Sequence, residues 1–231
     1  MLQISIILAA CGSSTPVVDT KVTQDMISAK LTTQTPTATT VPTETPIPTA
    51  TPDVLAGWNK FTGSGIEIWL PASFEGGDLE NDLDVIVEKL KALGPDFEQV
   101  AATIEANPTA FVLWAFDSKL GSTGYLTNVN IVKEQVVSAI TLDMYAQALQ
   151  QQLPSYLTIS EQNQGKLDRY ASLRLVLDTD ISGTKGKELM YIIKDSNIIW
   201  AITFATALDE FEGRLPEFDQ SVQTFNLQPQ E

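Results

Sequence analysis

The spacing of apolar residues changes several times along the chain, and each spacing predicts one kind of element. After residue 53, some segments repeat their apolar residues every three or four positions, as helices do, and others alternate them with a period of two, as strands do. The pairs Gly94-Pro95 and Asn107-Pro108 mark places where the helical spacing stops. The helical spacing predicts four helices, over 78–93, 97–106, 142–153 and 208–225.

The alternating segments predict seven strands. Two short alternating runs on either side of Gly63-Ser64-Gly65 predict an opening hairpin. A phosphate-binding loop is the alternative for this turn, but no helix follows it at the distance that such a loop requires. Turn-forming residues at 178–183 and 195–197 separate the last three runs, so we expect a meander there. The predicted strands are 58–62, 66–70, 109–116, 125–132, 167–177, 185–194 and 198–205.

Two of these strands are apolar on both faces. In the runs 109–116 and 198–205, neither set of alternating positions forms a polar face. A strand with one side in water would show such a face, so both strands must be covered above and below. We therefore expect an α+β fold of the α/β/α sandwich type, in which a largely antiparallel β-sheet lies between helical layers.

The N-terminus shows a different pattern, a short apolar run that ends in a cysteine. The run is too short to span a hydrocarbon core of ~30 Å, and residues 8–11 (Leu-Ala-Ala-Cys) resemble the lipobox of bacterial lipoproteins. We predict a signal peptide at residues 1–10 and a lipid on Cys11. Residues 1–3 carry no positive charge, so we expect the natural start to lie upstream. The alternative is a cysteine that follows an apolar N-terminus by chance.

The segment 11–53 shows neither spacing. Threonine and proline dominate from residue 32 to residue 52, and this composition cannot form a core. Repeated proline favours an extended chain of about 3.1 Å per residue, so the 42 residues from 12 to 53 could reach on the order of 100 Å. We predict a disordered spacer over 11–53 and a single globular domain over 54–231.

Composition limits the chemistry of this domain. The chain has one cysteine, Cys11, and no histidine, which excludes a disulfide, a thiolate metal site and Ser-His-Asp or Cys-His catalysis in the domain. The formal net charge of −15 disfavours nucleic acid and favours a cationic or neutral partner. We expect no enzymatic activity, no metal and no cofactor. We expect a membrane attachment through the lipid on Cys11, and a protein or envelope partner outside the cytoplasm.

Two polar clusters resemble ligand sites at first inspection. The alternating carboxylates of residues 78–84 suggest calcium, but Leu83 and Lys89 stand where an EF-hand loop needs glycine and glutamate. We prefer an acidic first turn that complements a helix dipole. The run 183–188 (Gly-Thr-Lys-Gly-Lys-Glu) lacks the spacing of a phosphate loop, and we interpret it as a hairpin turn.

Two further pairs keep other functions open. Asp178 and Asp180 are a carboxylate pair that an enzyme without histidine could use, although aspartate is common in turns because it caps local backbone. Trp58 and Trp69 could line a surface for a small ligand or a glycan. Burial in the core is the simpler explanation for both tryptophans.

Short motifs in the domain follow the order of a known family. They are the opening Trp58, the segment 65–74 (Gly-Ile-Glu-Ile-Trp-Leu-Pro-Ala-Ser-Phe), and a C-terminal half ordered as helix 142–153, strand 170–175, hairpin 189–204 and helix 208–225. In these motifs the domain resembles the PsbP-like proteins, which include PsbP of photosystem II, a Ran-binding nuclear-import protein and bacterial lipoproteins. The chain departs from their pattern in two predicted helices inserted between Leu83 and Ile104. It also has Asp168-Arg169 where members of the family often carry a glycine.

The resemblance implies the sandwich fold and a role in binding or assembly, usually without catalysis and with partners that differ among members. We therefore expect a membrane-anchored extracytoplasmic lipoprotein whose acidic PsbP-like domain is a non-catalytic binding or assembly module. The alternative is a small-ligand or glycan-binding protein, or an envelope enzyme based on carboxylates.

Overall fold

A computed structural model describes residues 55–121, 123–181 and 183–228. Within these ranges the chain forms ten strands and four α-helices. The strands are β1 (Asn59–Gly63), β2 (Ile66–Leu70), β3 (Phe74–Asp78), β4 (Leu113–Asp117), β5 (Asn128–Gln135), β6 (Leu157–Leu167), β7 (Tyr170–Ile181), β8 (Thr184–Asp195), β9 (Ile198–Ala207) and β10 (Asn226–Leu227). The helices are α1 (Leu79–Ala92), α2 (Glu98–Ala106), α3 (Leu142–Gln152) and α4 (Phe211–Gln223).

The strands form two antiparallel sheets. The large sheet has the order β3-β4-β5-β9-β8-β7-β6, and the small sheet has the order β1-β2-β10. The predicted opening hairpin is confirmed as β1 and β2, which pair from Asn59 with Leu70 to Gly63 with Ile66. Its turn places Ser64 and Gly65 at φ angles of 43° and 87°, and positive angles at both central residues are typical of tight hairpin turns.

The large sheet is covered on both faces, as its apolar strands predict. On one face, Phe204 of β9 stacks on Phe218 of α4 at 4.7 Å, and Ile68 of the small sheet joins the same cluster. On the other face, Trp114 and Phe116 of β4 belong to a second cluster with residues of α1 and α2. The predicted α+β fold with an antiparallel sheet between layers is confirmed, and the small sheet shares one layer with α4.

Two of the helices, α1 and α3, begin at a side-chain cap, whereas α4 begins at Phe211, later than predicted. Asp78 caps α1 by accepting a hydrogen bond from the Glu80 amide, and Thr141 caps α3 by accepting one from the Met144 amide. A short 3₁₀ turn, Pro95–Phe97, leads into α2. Among the described helices, none is both long enough and apolar enough to span a bilayer.

Three strands are missing from the sequence prediction, namely β3, β6 and the two-residue β10. β3 contains Gly76, whose φ is +147°, and a Cβ atom there would lie 2.3 Å from the Trp114 carbonyl oxygen. Only glycine allows this close approach between β3 and β4, and a pair of glycines resembles a turn in sequence. β6 is polar along its exposed middle and lacks the apolar alternation of a strand. β6 is a strand because it pairs with β7 along its length.

Several predicted boundaries are also wrong. β7 continues through Asp178 and Asp180 to Ile181. The turn predicted over 178–183 is therefore shorter than expected, because β8 already begins at Thr184. β4 begins at Leu113, and β5 begins at Asn128, each later than predicted. The ladder extends the β7 and β8 strands, because cross-strand pairing continues past the last apolar residue.

Candidate functional site

Two clefts open at the same end of the large sheet, where β3, β5 and β8 finish. The acidic cleft has a volume of about 630 Å³, and we define it by Asp78, Glu80, Asp84, Phe111 and Lys133. The polar cleft has a volume of about 440 Å³, and we define it by Ser138, Thr141, Asp143, Gln164 and Lys194. The two clefts meet at the end of β5. Lys133, within the strand, lines the acidic cleft, and Ser138, just past the strand, lines the polar cleft.

One wall of the acidic cleft is the N-terminus of α1, and Asp78 fixes its shape. Asp78 is only 5% exposed, and its two carboxylate oxygens accept hydrogen bonds from the Glu80 amide at 2.8 Å and the Asn81 side chain at 3.0 Å. Its own amide donates to Asp82 at 3.2 Å. The predicted acidic first turn is confirmed, and both oxygens of Asp78 are occupied by the helix start.

The carboxylates of Glu80 and Asp84 have a different environment. Both are exposed, and neither forms an ion pair with another described residue. The cation of the cleft is Lys133, whose ammonium group lies 5.2 Å from the centre of the Trp200 ring. The cleft therefore carries an excess of negative charge on its helical wall.

The opposite wall of the acidic cleft is apolar. Phe111 is buried, and Val112 and Ala110 beside it are half-buried, at the connection between α2 and β4. A cavity with carboxylates on one side and apolar side chains on the other suits a ligand with an aliphatic part and a positive group. Among the described residues, no group of three or more acidic side chains is arranged to hold a metal ion.

The polar cleft satisfies much of its own hydrogen-bonding capacity. The Lys194 ammonium group donates to the carbonyl oxygens of Ser138 and Ser196, and the Gln164 side chain donates to Asp143. The Thr141 hydroxyl accepts the bond that caps α3. Since these groups hold the cleft walls together, the acidic cleft has more charge available for a ligand.

The carboxylate pair at Asp178 and Asp180 has local roles. Asp178 lies 3.5 Å from the Lys187 ammonium group across the β7–β8 ladder, and Asp180 accepts a hydrogen bond from the Gly183 amide at 3.1 Å. The predicted backbone cap is confirmed for Asp180, while the prediction of a turn at Asp178 and Asp180 is wrong because both residues are within β7. The run 183–188 enters β8, and its interpretation as part of a hairpin is confirmed.

Burial in the core does not explain Trp58 and Trp69. Both are only half-buried, and both lie outside the two core clusters, whereas Trp114 and Trp200 are buried. Alternation along β2 explains the position of Trp69, because Ile68 and Leu70 on either side of it point into the core. The simpler sequence interpretation is therefore wrong for these two tryptophans.

The opposite end of the large sheet is closed by an ion cluster that the sequence analysis missed. Arg214 of α4 donates to Asp117 at 2.7 Å and to Glu210 at 2.8 Å, and Asp117 is only 4% exposed. Burial alone lowers the pKa of Arg214, but hydrogen bonds to Asp117 and Glu210 outweigh it and raise the pKa above its ordinary value. Four-residue spacing between Glu210 and Arg214 was the available sequence signal.

A second cluster lies on the outer part of α4. The Tyr191 hydroxyl donates to Asp219 at 2.9 Å, and the Arg174 guanidinium lies 3.5 Å from the same carboxylate. Burial, followed by the negative charge and hydrogen bond of Asp219, raises the pKa of Tyr191 to about 12. This cluster fastens α4 to β7 and β8.

The predicted lipidation site lies outside the described residues. The same holds for the predicted signal peptide at 1–10 and the predicted spacer at 11–53. These predictions remain predictions.

No protein-family model matches this chain, and no curated protein matches it. Among solved structures, the chain is similar to cyanobacterial PsbP (CyanoP) from Synechocystis, with 12% identity, a TM-score of 0.49, and coverage of 74% of this chain and 93% of that one. It is also similar to LpqN, involved in cell envelope biogenesis of Mycobacterium tuberculosis, with 9% identity, a TM-score of 0.47, and coverage of 74% and 91%.

A further similar structure is the immunity protein TplEi of T6SS from Pseudomonas aeruginosa, with 10% identity, a TM-score of 0.41, and coverage of 75% of this chain and 99% of that one. PsbP, the protein that gives its name to the family resembled in sequence, is thus also a structural neighbour. The likeness concerns the arrangement of helices and strands, and no function follows from it.

Proposed function

We propose that this chain is a membrane-anchored extracytoplasmic lipoprotein whose α+β domain is a non-catalytic binding module, and that the acidic cleft binds a cationic segment of an envelope protein. The observation that carries the proposal is the cleft itself, in which Glu80 and Asp84 are exposed beside an apolar wall and form no ion pair within the described part of the chain. An aliphatic lysine or arginine stem would lie on the apolar wall, with its positive group among the carboxylates.

The charge of the whole domain supports a cationic partner. Residues 55–228 contain 24 aspartates and glutamates and 12 lysines and arginines, a formal net charge of −12. A surplus of this size attracts positive partners over distances of about a Debye length, roughly 8 Å at physiological ionic strength. Binding by the cleft should therefore weaken as salt is added.

The tether is tested by changing its one essential residue. In cells, Cys11→Ala should move the protein from the membrane fraction to the soluble fraction, because the residue would no longer carry a lipid. The domain should keep the same circular dichroism spectrum, since residue 11 lies outside it. A Cys11→Ala protein that stays fully with the membranes would contradict the tether.

The binding role is tested by capture in native envelopes. A photo-crosslinking amino acid at Thr109, which is exposed on the rim of the acidic cleft, should trap a defined partner. The matched control places the same amino acid at Asp209, which is exposed beside the ion cluster at the opposite end. We expect capture at 109 and none at 209. The same product from both positions, or from neither, would contradict binding at the cleft.

The position of Trp58 and Trp69 favours a second candidate function, the binding of an uncharged glycan. The outer face of the hairpin combines these rings with an ion pair between Lys60 and Glu67 at 2.6 Å, and Gln228 donates to Glu67 at 3.2 Å. Aromatic surface beside planar polar groups suits a sugar ring. Titration with cellotetraose and chitotetraose should quench tryptophan fluorescence in the native chain and fail in Trp69→Ala. Absence of quenching in both proteins would remove this candidate.

A further inference from the structure

The outer edge of β6 is the longest open strand edge in the described part of the chain. β6 is the last strand of the large sheet, and its pairing is with β7 alone. Seven consecutive residues, 160–166, are exposed. Every second residue of an edge strand directs its N–H and C=O groups away from the sheet, where another strand can bind them.

The usual protections of an edge strand lie at the two ends of this segment, in the bulge at Ser160 and the charges of Glu161 and Lys166. β6 contains no proline, so every backbone N–H group on its outward edge is present. The irregularity in its pairing lies between Ile159 and Glu161, at one end of the exposed segment. Beyond it, residues 161–167 pair in regular register with β7. Residues 161–166 therefore form a regular strand edge that is available for pairing.

We propose that this segment pairs with the same segment of a second copy of the chain, antiparallel and about a two-fold axis at Asn163. Asn163 is the centre of the exposed residues 160–166. Closed two-fold dimers are the commonest symmetric assemblies, and each partner then contributes the same strand. The two large sheets become one continuous sheet across the dimer.

The charges along β6 fit this register. With the axis at Asn163, Glu161 lies opposite Gly165 of the second copy, and Lys166 lies beside the irregularity at Ser160. Gln162 lies opposite Gln164. Like charges never face each other directly, whereas an axis at Glu161 would place two carboxylates opposite each other. The segment 160–166 is neutral, because it contains one glutamate and one lysine.

The acidity of the rest of the domain opposes the association. Each copy carries a formal net charge of −12 over residues 55–228, so the two domains repel each other at low ionic strength. The dimer should therefore tighten as salt is added. This direction is opposite to the weakening expected for a cationic partner at the acidic cleft, so the two proposals respond differently to salt.

The test removes the chain's single cysteine and introduces a new one on β6. In the full chain with Cys11→Ala, a new Asn163→Cys lies on the axis, where opposite Cα atoms are about 4.5–5.5 Å apart and a disulfide can form. The matched control is Thr158→Cys, exposed on the same strand but about 33 Å from its equivalent in the second copy. Mild oxidation should crosslink Asn163→Cys and leave Thr158→Cys monomeric on a non-reducing gel.

A second measurement does not depend on cysteine. Sedimentation of the Cys11→Ala chain should show conversion from 25.2 kDa to twice that mass with rising concentration. Asn163→Glu, which places two carboxylates face to face, should weaken the dimer several-fold while the circular dichroism spectrum stays native. Equal crosslinking at both positions, crosslinking at neither, or a monomer at every concentration would overturn the proposal. Each of these results leaves the acidic cleft untouched.

Discussion

The two ends of the large sheet use the same kinds of charged residue in opposite ways. At the ion-cluster end, Arg214 lies between Asp117 and Glu210, and the three side chains are 18%, 5% and 17% exposed. At the cleft end, Glu80 and Asp84 are exposed and make no ion pair with a described residue. Carboxylates that enclose a cation within the fold serve stability, whereas carboxylates left in water beside an apolar wall are available to a partner.

The largest expected effect is at the ion-cluster end. Arg214→Met keeps the aliphatic stem but leaves Asp117 and Glu210 close together without their cation, and we expect a loss of about 3 kcal/mol in the free energy of unfolding. Urea denaturation measures this loss. The matched control is Lys89→Met, which breaks an exposed ion pair with Glu75 and should cost less than about 1 kcal/mol. Equal losses in the two variants would contradict a structural role specific to Arg214.

A smaller effect is expected where α1 begins. Asp78→Ala removes the helix cap and the acceptor of the Asn81 side chain, so unfolding should become easier by about 1 kcal/mol. Chemical denaturation checks this value, with Glu88→Ala, an exposed residue of the same helix, as the control. If Asp78→Ala were as stable as Glu88→Ala, the assignment of Asp78 to the helix start would fail.

The cluster at Tyr191 predicts a pH effect. Because the pKa of Tyr191 is raised to about 12, the folded chain keeps the phenolic proton above pH 10 while the unfolded chain loses it. The free energy of unfolding should therefore fall as pH rises from 10 towards 12. Tyr191→Phe has no such proton, so its stability relative to the native chain should rise by about 1 kcal/mol over that interval, after allowance for solvent screening. A constant difference between the two proteins would contradict the raised pKa.

The smallest effect on stability is expected at the acidic cleft. Glu80→Gln with Asp84→Asn removes two exposed charges, and the free energy of unfolding should stay within about 0.5 kcal/mol of the native value. Urea denaturation gives the comparison with Arg214→Met. A loss as large as that of Arg214→Met would show that the cleft carboxylates are structural and would erase the contrast between the two ends.

Local signals explain how much of the fold the sequence predicts. The capping positions of Asp78 and Thr141 and the apolar spacing in α1 are properties of neighbouring residues, and the corresponding helices are where we expect them. β3 depends on the close approach of Gly76 to the Trp114 carbonyl, a contact between residues 38 positions apart. No pattern within β3 itself contains that information.

The same distinction holds for the candidate site. The acidic segment 78–84, which forms one wall of the cleft, is visible in sequence only as the acidic first turn of a helix. Phe111 and Lys133, which complete the cleft, arrive from a connection and from β5, and only the sheet order brings them to α1. The ion cluster is equally non-local, since Asp117 and Arg214 are 97 positions apart. Sequence therefore predicts the charge of the site, and the fold supplies its shape.

The most direct test of the account is capture at the cleft after its charge has been removed. The photo-crosslinking amino acid at Thr109 is combined with Glu80→Gln and Asp84→Asn, and separately with Glu212→Gln and Glu217→Gln, two exposed carboxylates of α4. If the cleft binds a cationic segment, the partner trapped by the native chain disappears with the first pair and remains with the second. Undiminished capture by the first pair would contradict the account.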